Sequence, residues 1–350
     1  MLSRCFYYKP SELRKILEGF KNLKDVMAAP RPFFLSLGIR GKTLVDFLEN
    51  RNKNISLCKK GIEEDYKNIK IITIFDKEYP KNLKNIYDPP PILFYRGNLE
   101  CLNEKSLAVV GSRKITDYGK YVCEMLVPEL CRHFIIVSGL AYGVDGLAHE
   151  ITVKNNQKTV AVLGSGIDEA SIYPKTNINL AKRILDCGGL ILSEVPPGIG
   201  PQKFHFPMRN RIISALAEGI LIIEGGKKSG TLITAKLGLE SGADIFAVPG
   251  SIFSPNSEGV NDLIKCGAHP ITKPGDILEF YGISAENKKP YEPKNEREKI
   301  ILEVLSGGEK HINELAEISG TEVTDLMDAL TDLEIECAVK NIGGQRFVKI

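Results

Sequence analysis

The sequence predicts an α/β protein: a doubly wound parallel sheet, preceded by a small helical domain and followed by a winged-helix domain. Three observations predict it. Short apolar, β-branched runs recur along the middle of the chain, separated by stretches long enough for crossover helices. Strands alternating with helices at roughly 25–30-residue spacing imply parallel pairing and right-handed crossovers. Beyond residue 295 the pattern changes to three helical segments and a strand–turn–strand.

Taken in order, residues 1–64 read as a helical domain of SAM or helix-hairpin-helix type. Pro10-Ser11-Glu12-Leu13 opens one amphipathic stretch, and Thr43-Leu44-Val45-Asp46-Phe47-Leu48 continues another. Between them lies Leu37-Gly38-Ile39-Arg40-Gly41-Lys42. Such a Gly-x-x-Gly turn either offers backbone N–H groups to a phosphate or simply joins two helices with the backbone angles glycine permits. Residues 65–283 form the parallel-sheet domain. Its strands are expected at Leu107–Val110, Phe134–Val137, Val160–Leu163, Leu190–Leu192, Ile220–Ile223 and Ile245–Val248, with helices such as Tyr118–Leu130 and Thr231–Ser241 between them. Two earlier runs, Ile71–Phe75 and Ile92–Tyr95, are expected as edge strands. Residues 284–295 are a polar, proline-containing linker. The closing domain, 296–350, carries helices over Glu296–Leu305, Ile312–Ser319 and Val323–Glu334, then a hairpin from Ala338 to Lys349.

Composition is that of an ordinary globular protein: 350 residues, 43% hydrophobic and 26% charged. No window is apolar enough to span a bilayer and the N-terminus lacks the apolar run of a signal peptide, so a cytoplasmic protein is expected. The eight cysteines stand apart, with no Cys-x-x-Cys among them and no zinc-like spacing to the five histidines. No metal and no cofactor is expected. The formal charge of +2 is unevenly spread: residues 296–350 hold twelve acidic and six basic side chains, net −6, leaving +8 on residues 1–295. A polyanion is drawn to the front of such a chain and repelled from its tail. The acidic third helix is therefore a poor fit to a DNA groove, and a protein contact is expected there.

In an open parallel sheet, ligands bind beyond the carboxyl ends of the strands. Here those ends carry glycine-containing turns: Gly111-Ser112-Arg113-Lys114, then Ser138-Gly139-Leu140-Ala141-Tyr142-Gly143, then Gly164-Ser165-Gly166 with Tyr173-Pro174-Lys175, and Gly225-Gly226-Lys227-Lys228-Ser229-Gly230-Thr231. Small residues and free N–H groups at helix starts suit phosphate oxygens. The nucleotide motifs are incomplete. Glu169 stands where the third glycine of a dinucleotide fingerprint belongs, and Thr231 where a P-loop requires lysine. The densest stretch is Pro201-Gln202-Lys203-Phe204-His205-Phe206-Pro207-Met208-Arg209-Asn210-Arg211, which interleaves aromatic rings with cations. Single-stranded nucleic acid is held by such mixtures, rings stacking bases and cations meeting phosphates. The alternative is two core phenylalanines and a solvated arginine pair. Cations near a helix N-terminus call for an anion, which favours the first. Asp145 and His149 lie four apart; a helix cap with its hydrogen-bonded neighbour is the expectation, over an acid–base or metal pair.

These residues resemble the DNA-processing protein A family (DprA, also called Smf). The likeness runs from Asp88-Pro89-Pro90-Pro91-Ile92-Leu93-Phe94-Tyr95-Arg96-Gly97-Asn98 to about Gly282. It passes through Val109-Val110-Gly111-Ser112-Arg113, Ser138 to Asp145, Ser193-Glu194-Val195-Pro196-Pro197-Gly198, Phe206 to Ser214, Ser229 to Ala235 and Ala247-Val248-Pro249-Gly250-Ser251. The turn from Gly166 to Pro174 is longer than is usual in the family. The resemblance implies an extended Rossmann-like fold that binds single-stranded DNA, dimerises and loads the RecA recombinase on incoming strands during natural transformation. It implies backbone contacts at Arg113, Lys175, Phe206 to Arg211, and Lys228, Ser229 and Gly230. With the turn residues, the expected DNA-binding set is Gly111, Ser112, Arg113, Lys114, Gly139, Lys175, Lys203, Phe206, Arg209, Asn210, Arg211, Lys228, Ser229, Gly230 and Thr231. A rival is an enzyme: phosphoribohydrolases of the LOG family share a related motif, but there a glutamate pair follows the Gly-Thr turn, where Leu232-Ile233-Thr234-Ala235 stand here. No carboxylate is in place for an oxocarbenium-like centre, and no catalytic residue is expected. A second rival is a pure scaffold whose winged helix does the work, which would leave the basic, aromatic stretch idle.

Overall fold

A computed structural model describes residues 9–19, 23–49, 68–227, 229–283, 291, 293–336 and 338–349. The chain divides into two compact units, Met1–Gly282 and Ile283–Ile350.

The first unit is built on a sheet that holds nine strands among the described residues: β1 Lys70–Thr73, β2 Ile92–Gly97, β3 Ser106–Val110, β4 Ile135–Ser138, β5 Thr159–Leu163, β6 Leu190–Ser193, β7 Gly219–Ile222, β8 Asp244–Ala247 and β9 His269–Pro270. Their spatial order is β1-β2-β6-β5-β4-β3-β7-β8-β9. Strands β3 to β9 pair in parallel. Every residue of β3, β4, β5, β6 and β7 is buried, as expected of apolar strands covered on both faces. The parallel part of the sheet starts at β3, steps outward to β6, then returns to place β7 on the other flank of β3. The order therefore reverses between β3 and β7, which opens the crevice at the carboxyl edge where such sheets bind ligands.

Two departures from the sequence expectation concern the sheet margins. Strand β2 is not an edge strand: it lies between β1 and β6, antiparallel to both. The two-residue β9 was not anticipated. The crossover helices are α5 Asp117–His133, α6 Val144–Lys154, α7 Ile178–Asp186, α8 His205–Leu216, α9 Gly230–Glu240 and α10 Glu258–Lys265; before the sheet stand α1 Pro10–Gly19, α2 Leu23–Ala28, α3 Arg31–Ser36 and α4 at residues 42–49. Phe34 and Phe47 meet edge to face at 5.7 Å among these four, beside buried Ile16 and Ile39. Gly38 and Gly41 form the join between α3 and α4, as the spacing implied.

The second unit holds α11 Glu296–Leu305, β10 Lys310–His311, α12 Ile312–Ser319, α13 Val323–Ile335, β11 Val339–Gly343 and β12 Arg346–Lys349. The three strands pair in the order β10-β12-β11 around a core that includes Leu305, Leu315, Leu330 and Phe347. Asn295 caps α11 by accepting the Glu298 N–H at 2.9 Å. Of the expected linker, residues 284–290 and 292 lie outside the described residues.

Candidate nucleic-acid interface

The turns after β3 and β4 are locked together before any side chain is considered. The Ser112 carbonyl accepts the Val144 N–H at 3.2 Å. Gly143 has a φ of 75° and lies so close that a Cβ there would sit 2.1 Å from the same carbonyl. Only glycine meets both demands. The lock presents Arg113 and Lys114 to solvent, with the Ser112 hydroxyl accepting the Lys114 N–H at 3.1 Å.

From that turn a row of rings runs along the carboxyl edge. The Arg113 guanidinium lies 4.7 Å from the centre of the Phe206 ring, a cation–π contact. Phe206 meets Tyr173 at 6.0 Å, and Tyr173 meets Tyr142 edge-on at 6.2 Å. The tyrosines are 38% and 44% exposed, so the row is open to solvent. Phe206 is half-buried because Gly164 lies beneath it; a Cβ at 164 would come within 2.9 Å of the ring. Lys175 and Lys203 are exposed, Lys175 donating from Nζ to the Ala170 carbonyl.

Arg209 and Arg211 do not stand on this face. Arg209 is 5% exposed. Its Nη1 donates to the Val162 carbonyl at 2.7 Å, and a Cβ at Gly139 would fall 1.6 Å from that nitrogen. Asp145 completes the group: it accepts the Gly139 N–H at 3.1 Å and faces the Arg209 charge. Arg211 donates from Nη2 to both oxygens of Glu194 at 2.8 Å, with Asp88 3.6 Å from its Nε. The anions that cations near a helix N-terminus require are thus the protein's own carboxylates. Asn210 beside them is half-buried.

Asp145 also departs from its expected role. Gly143 occupies the cap position of α6, and His149 pairs through Nδ1 with the Thr159 hydroxyl at 2.8 Å, not with Asp145. Burial pushes the His149 imidazole down to about 3, so it is neutral at physiological pH. Burial raises the Asp145 carboxyl, against the pull of Arg209 and of the Gly139 N–H. It also pushes Glu194 up to about 7, Arg211 acting in the opposite direction.

The remaining predicted residues lie after β7. Ser229 takes the cap position of α9, yet its hydroxyl makes no cap bond and is buried without a partner. Gly230 is exposed and Thr231 is 7% exposed. Lys228 lies outside the described residues. Glu224, also in this turn, is 2% exposed and accepts the Thr116 N–H at 3.1 Å and hydroxyl at 2.6 Å. The structure therefore joins Arg113 to Phe206, with Lys114 on the same turn, and adds two tyrosines that the predicted set lacks. Their signal was an aromatic residue inside a glycine-bearing turn at a strand end. Among the described residues no group of three His, Cys, Asp or Glu is placed to hold a metal ion.

Residues 70–282 match the model of the family described as DNA recombination-mediator protein A. DNA processing protein DprA of Bacillus subtilis is 46% identical over 213 residues, covering 60% of this chain and 71% of its own. Protein Smf of Escherichia coli is 35% identical over 316 residues, covering 85% and 83%. The X-ray structure of DNA processing protein A from Streptococcus pneumoniae superimposes with a TM-score of 0.68 at 36% identity, over 79% of this chain and 95% of that one. A structure giving insights into the single-stranded DNA binding mode of DNA processing protein A from Helicobacter pylori superimposes with a TM-score of 0.55 at 29% identity, over 61% and 95%.

Proposed function

The chain belongs to the DNA recombination-mediator protein A family, and from that premise we propose that it binds single-stranded DNA along the carboxyl edge of its parallel sheet. The observation that carries this reading is the Arg113 guanidinium seated on Phe206 at the head of an exposed row of rings. Bases stack on the rings, while Arg113, Lys114, Lys175 and Lys203 meet phosphates and the glycine turns supply N–H groups. Arg209 and Arg211 act beneath, holding the turns in place. The Helicobacter protein's single-stranded DNA binding supports the reading. So does the excess of eight positive charges on residues 1–295.

Binding of a labelled 30-nucleotide oligo(dT), followed by fluorescence anisotropy, tests it. Affinity falls steeply with salt as counterions are released, and Arg113→Ala weakens it on the order of tenfold or more while circular dichroism stays unchanged. Salt-independent binding, or a folded Arg113→Ala protein that binds like the parent, contradicts the reading.

We read the wider role as that of a homodimer, acting in the cytoplasm without catalysis, that protects incoming strands and loads RecA during transformation. The second unit is read as a winged helix whose acidic face meets a protein. RecA assembly on oligo(dT) precoated with a single-strand-binding protein, with and without this chain, tests the loading step; no acceleration counts against it. The carboxylates of Asp145, Glu194 and Glu224 are all held by protein donors, which supports binding over glycosidic hydrolysis.

A further inference from the structure

A cleft of about 500 Å³ opens on the other side of the Arg113 turn, between Thr116 with Tyr118 and the loop from Pro249 to Ser257. None of the rings in the row beside Arg113 lines it. Its volume falls in the range of about 300–1,000 Å³ usual for small-molecule sites. Its wall is built, not incidental. Tyr118 is 47% exposed, and its hydroxyl is fixed on the Pro249 carbonyl at 2.5 Å, which holds the ring in place. Ser257 is only 5% exposed, lines the cleft and makes no cap bond to α10. Ile252 and Phe253, 81% and 90% exposed, belong to the same loop.

Charge decides what fits. Glu224 is bonded to the N–H and hydroxyl of Thr116, a residue of the cleft wall, so its carboxylate disfavours an anion against that wall. Lys114, exposed two residues before Thr116, lies toward the Arg113 end of the turn. A neutral ring bearing hydrogen-bonding groups suits the interior, and a phosphate suits the mouth. Arg113 and Thr116 are three residues apart, so their Cα atoms are separated by at most about 11 Å. A strand anchored on Arg113 reaches the cleft directly.

We propose that this cleft is a second base-binding subsite for the same strand, taking one nucleobase against Tyr118 with its phosphate outside near Lys114. The assignment rests on the proposed strand binding and extends its footprint across the point where the strand order reverses.

Photocrosslinking of the intact protein to an oligo(dT) carrying 5-iodouracil, with the crosslinked peptides mapped by mass spectrometry, tests it. The expected crosslinks fall on Tyr118 or Phe253 as well as on Tyr173 or Phe206. Ser254→Leu, which fills the cleft, removes the first pair and keeps the second; Tyr118→Ala weakens oligo(dT) binding about tenfold. Crosslinks confined to Tyr173 and Phe206 overturn the subsite and leave strand binding standing. Crosslinks at Tyr118 that persist in Ser254→Leu also overturn it, since the base then lies outside the cleft. No binding and no crosslinks anywhere overturn both. The map on the unaltered protein decides the matter even where a variant fails to fold.

Discussion

Arg113 and Arg209 show how far one residue type can differ in consequence. Arg113 is exposed on a ring; Arg209 is buried, donating to the Val162 carbonyl and feeling the charge of Asp145. Replacing Arg209 by methionine removes the bond to the Val162 carbonyl and the charge that opposes the burial of Asp145, at a cost of about 1–3 kcal/mol. Arg113→Ala leaves stability within about 0.5 kcal/mol, as surface changes usually do, yet removes the proposed strand contact. Urea unfolding of the two variants side by side checks the contrast, and equal losses of stability would contradict it. Gly139→Ala drives a methyl group into the Arg209 guanidinium, and overpacking of this kind costs about 1–3 kcal/mol. The sequence displays Arg113, Arg209 and Arg211 with the same chemistry, each near the start of a helix. Only the third dimension reveals which has a carboxylate behind it, because Asp145 and Glu194 come from elsewhere in the chain.

At the scale of elements, the first crossover helix is tied at its start to the turn after the neighbouring strand β7. Thr116 caps α5 by accepting the Gly119 N–H at 3.1 Å and gives its own hydroxyl to Glu224. Thr116→Ala therefore removes a cap worth about 0.5–2 kcal/mol and also leaves one Glu224 oxygen without that donor. Thermal unfolding should show a loss at the upper end of that range, whereas Thr116→Ser should recover most of it. The elements themselves were legible because strands buried on both faces are unbroken apolar runs and the helices between them are amphipathic. The three helices of the second unit fall within a residue of their expected bounds for the same reason. What the sequence withheld was pairing. Nothing in Ile92–Tyr95 states that its strand runs antiparallel beside β6, and two residues of β9 carry no periodicity at all. The tyrosine row was hidden likewise, since Tyr142 and Tyr173 are thirty-one positions apart and meet only through the fold.

Across the whole molecule, charge and protonation set conditions. Residues 296–350 carry a net −6, so removing 283–350 should leave oligo(dT) affinity intact or raise it; a large loss would place the tail in the DNA site. The pH response combines two opposed groups. Glu194 is raised from 4.5 to about 7 by burial, so the native state keeps a proton that the unfolded chain has released, and stability rises as pH falls through that window. His149 is lowered from 6.5 to about 3, so the unfolded chain takes up a proton that the native state refuses, and stability declines as pH falls below 6.5. The two slopes oppose each other between 4.5 and 6.5. Glu194→Gln should uncover the acid sensitivity of His149, and His149→Gln the opposite trend, in urea midpoints measured across that range. Profiles unchanged from the parent in both variants would dismiss the account. Among the described residues the sheet ends, at β9, on an exposed proline paired with Ala247. Proline has no N–H to offer a further strand, so at this margin the sheet is a terminated polymer. Another copy approaching there can be gripped by side chains, but the ladder cannot be continued into it.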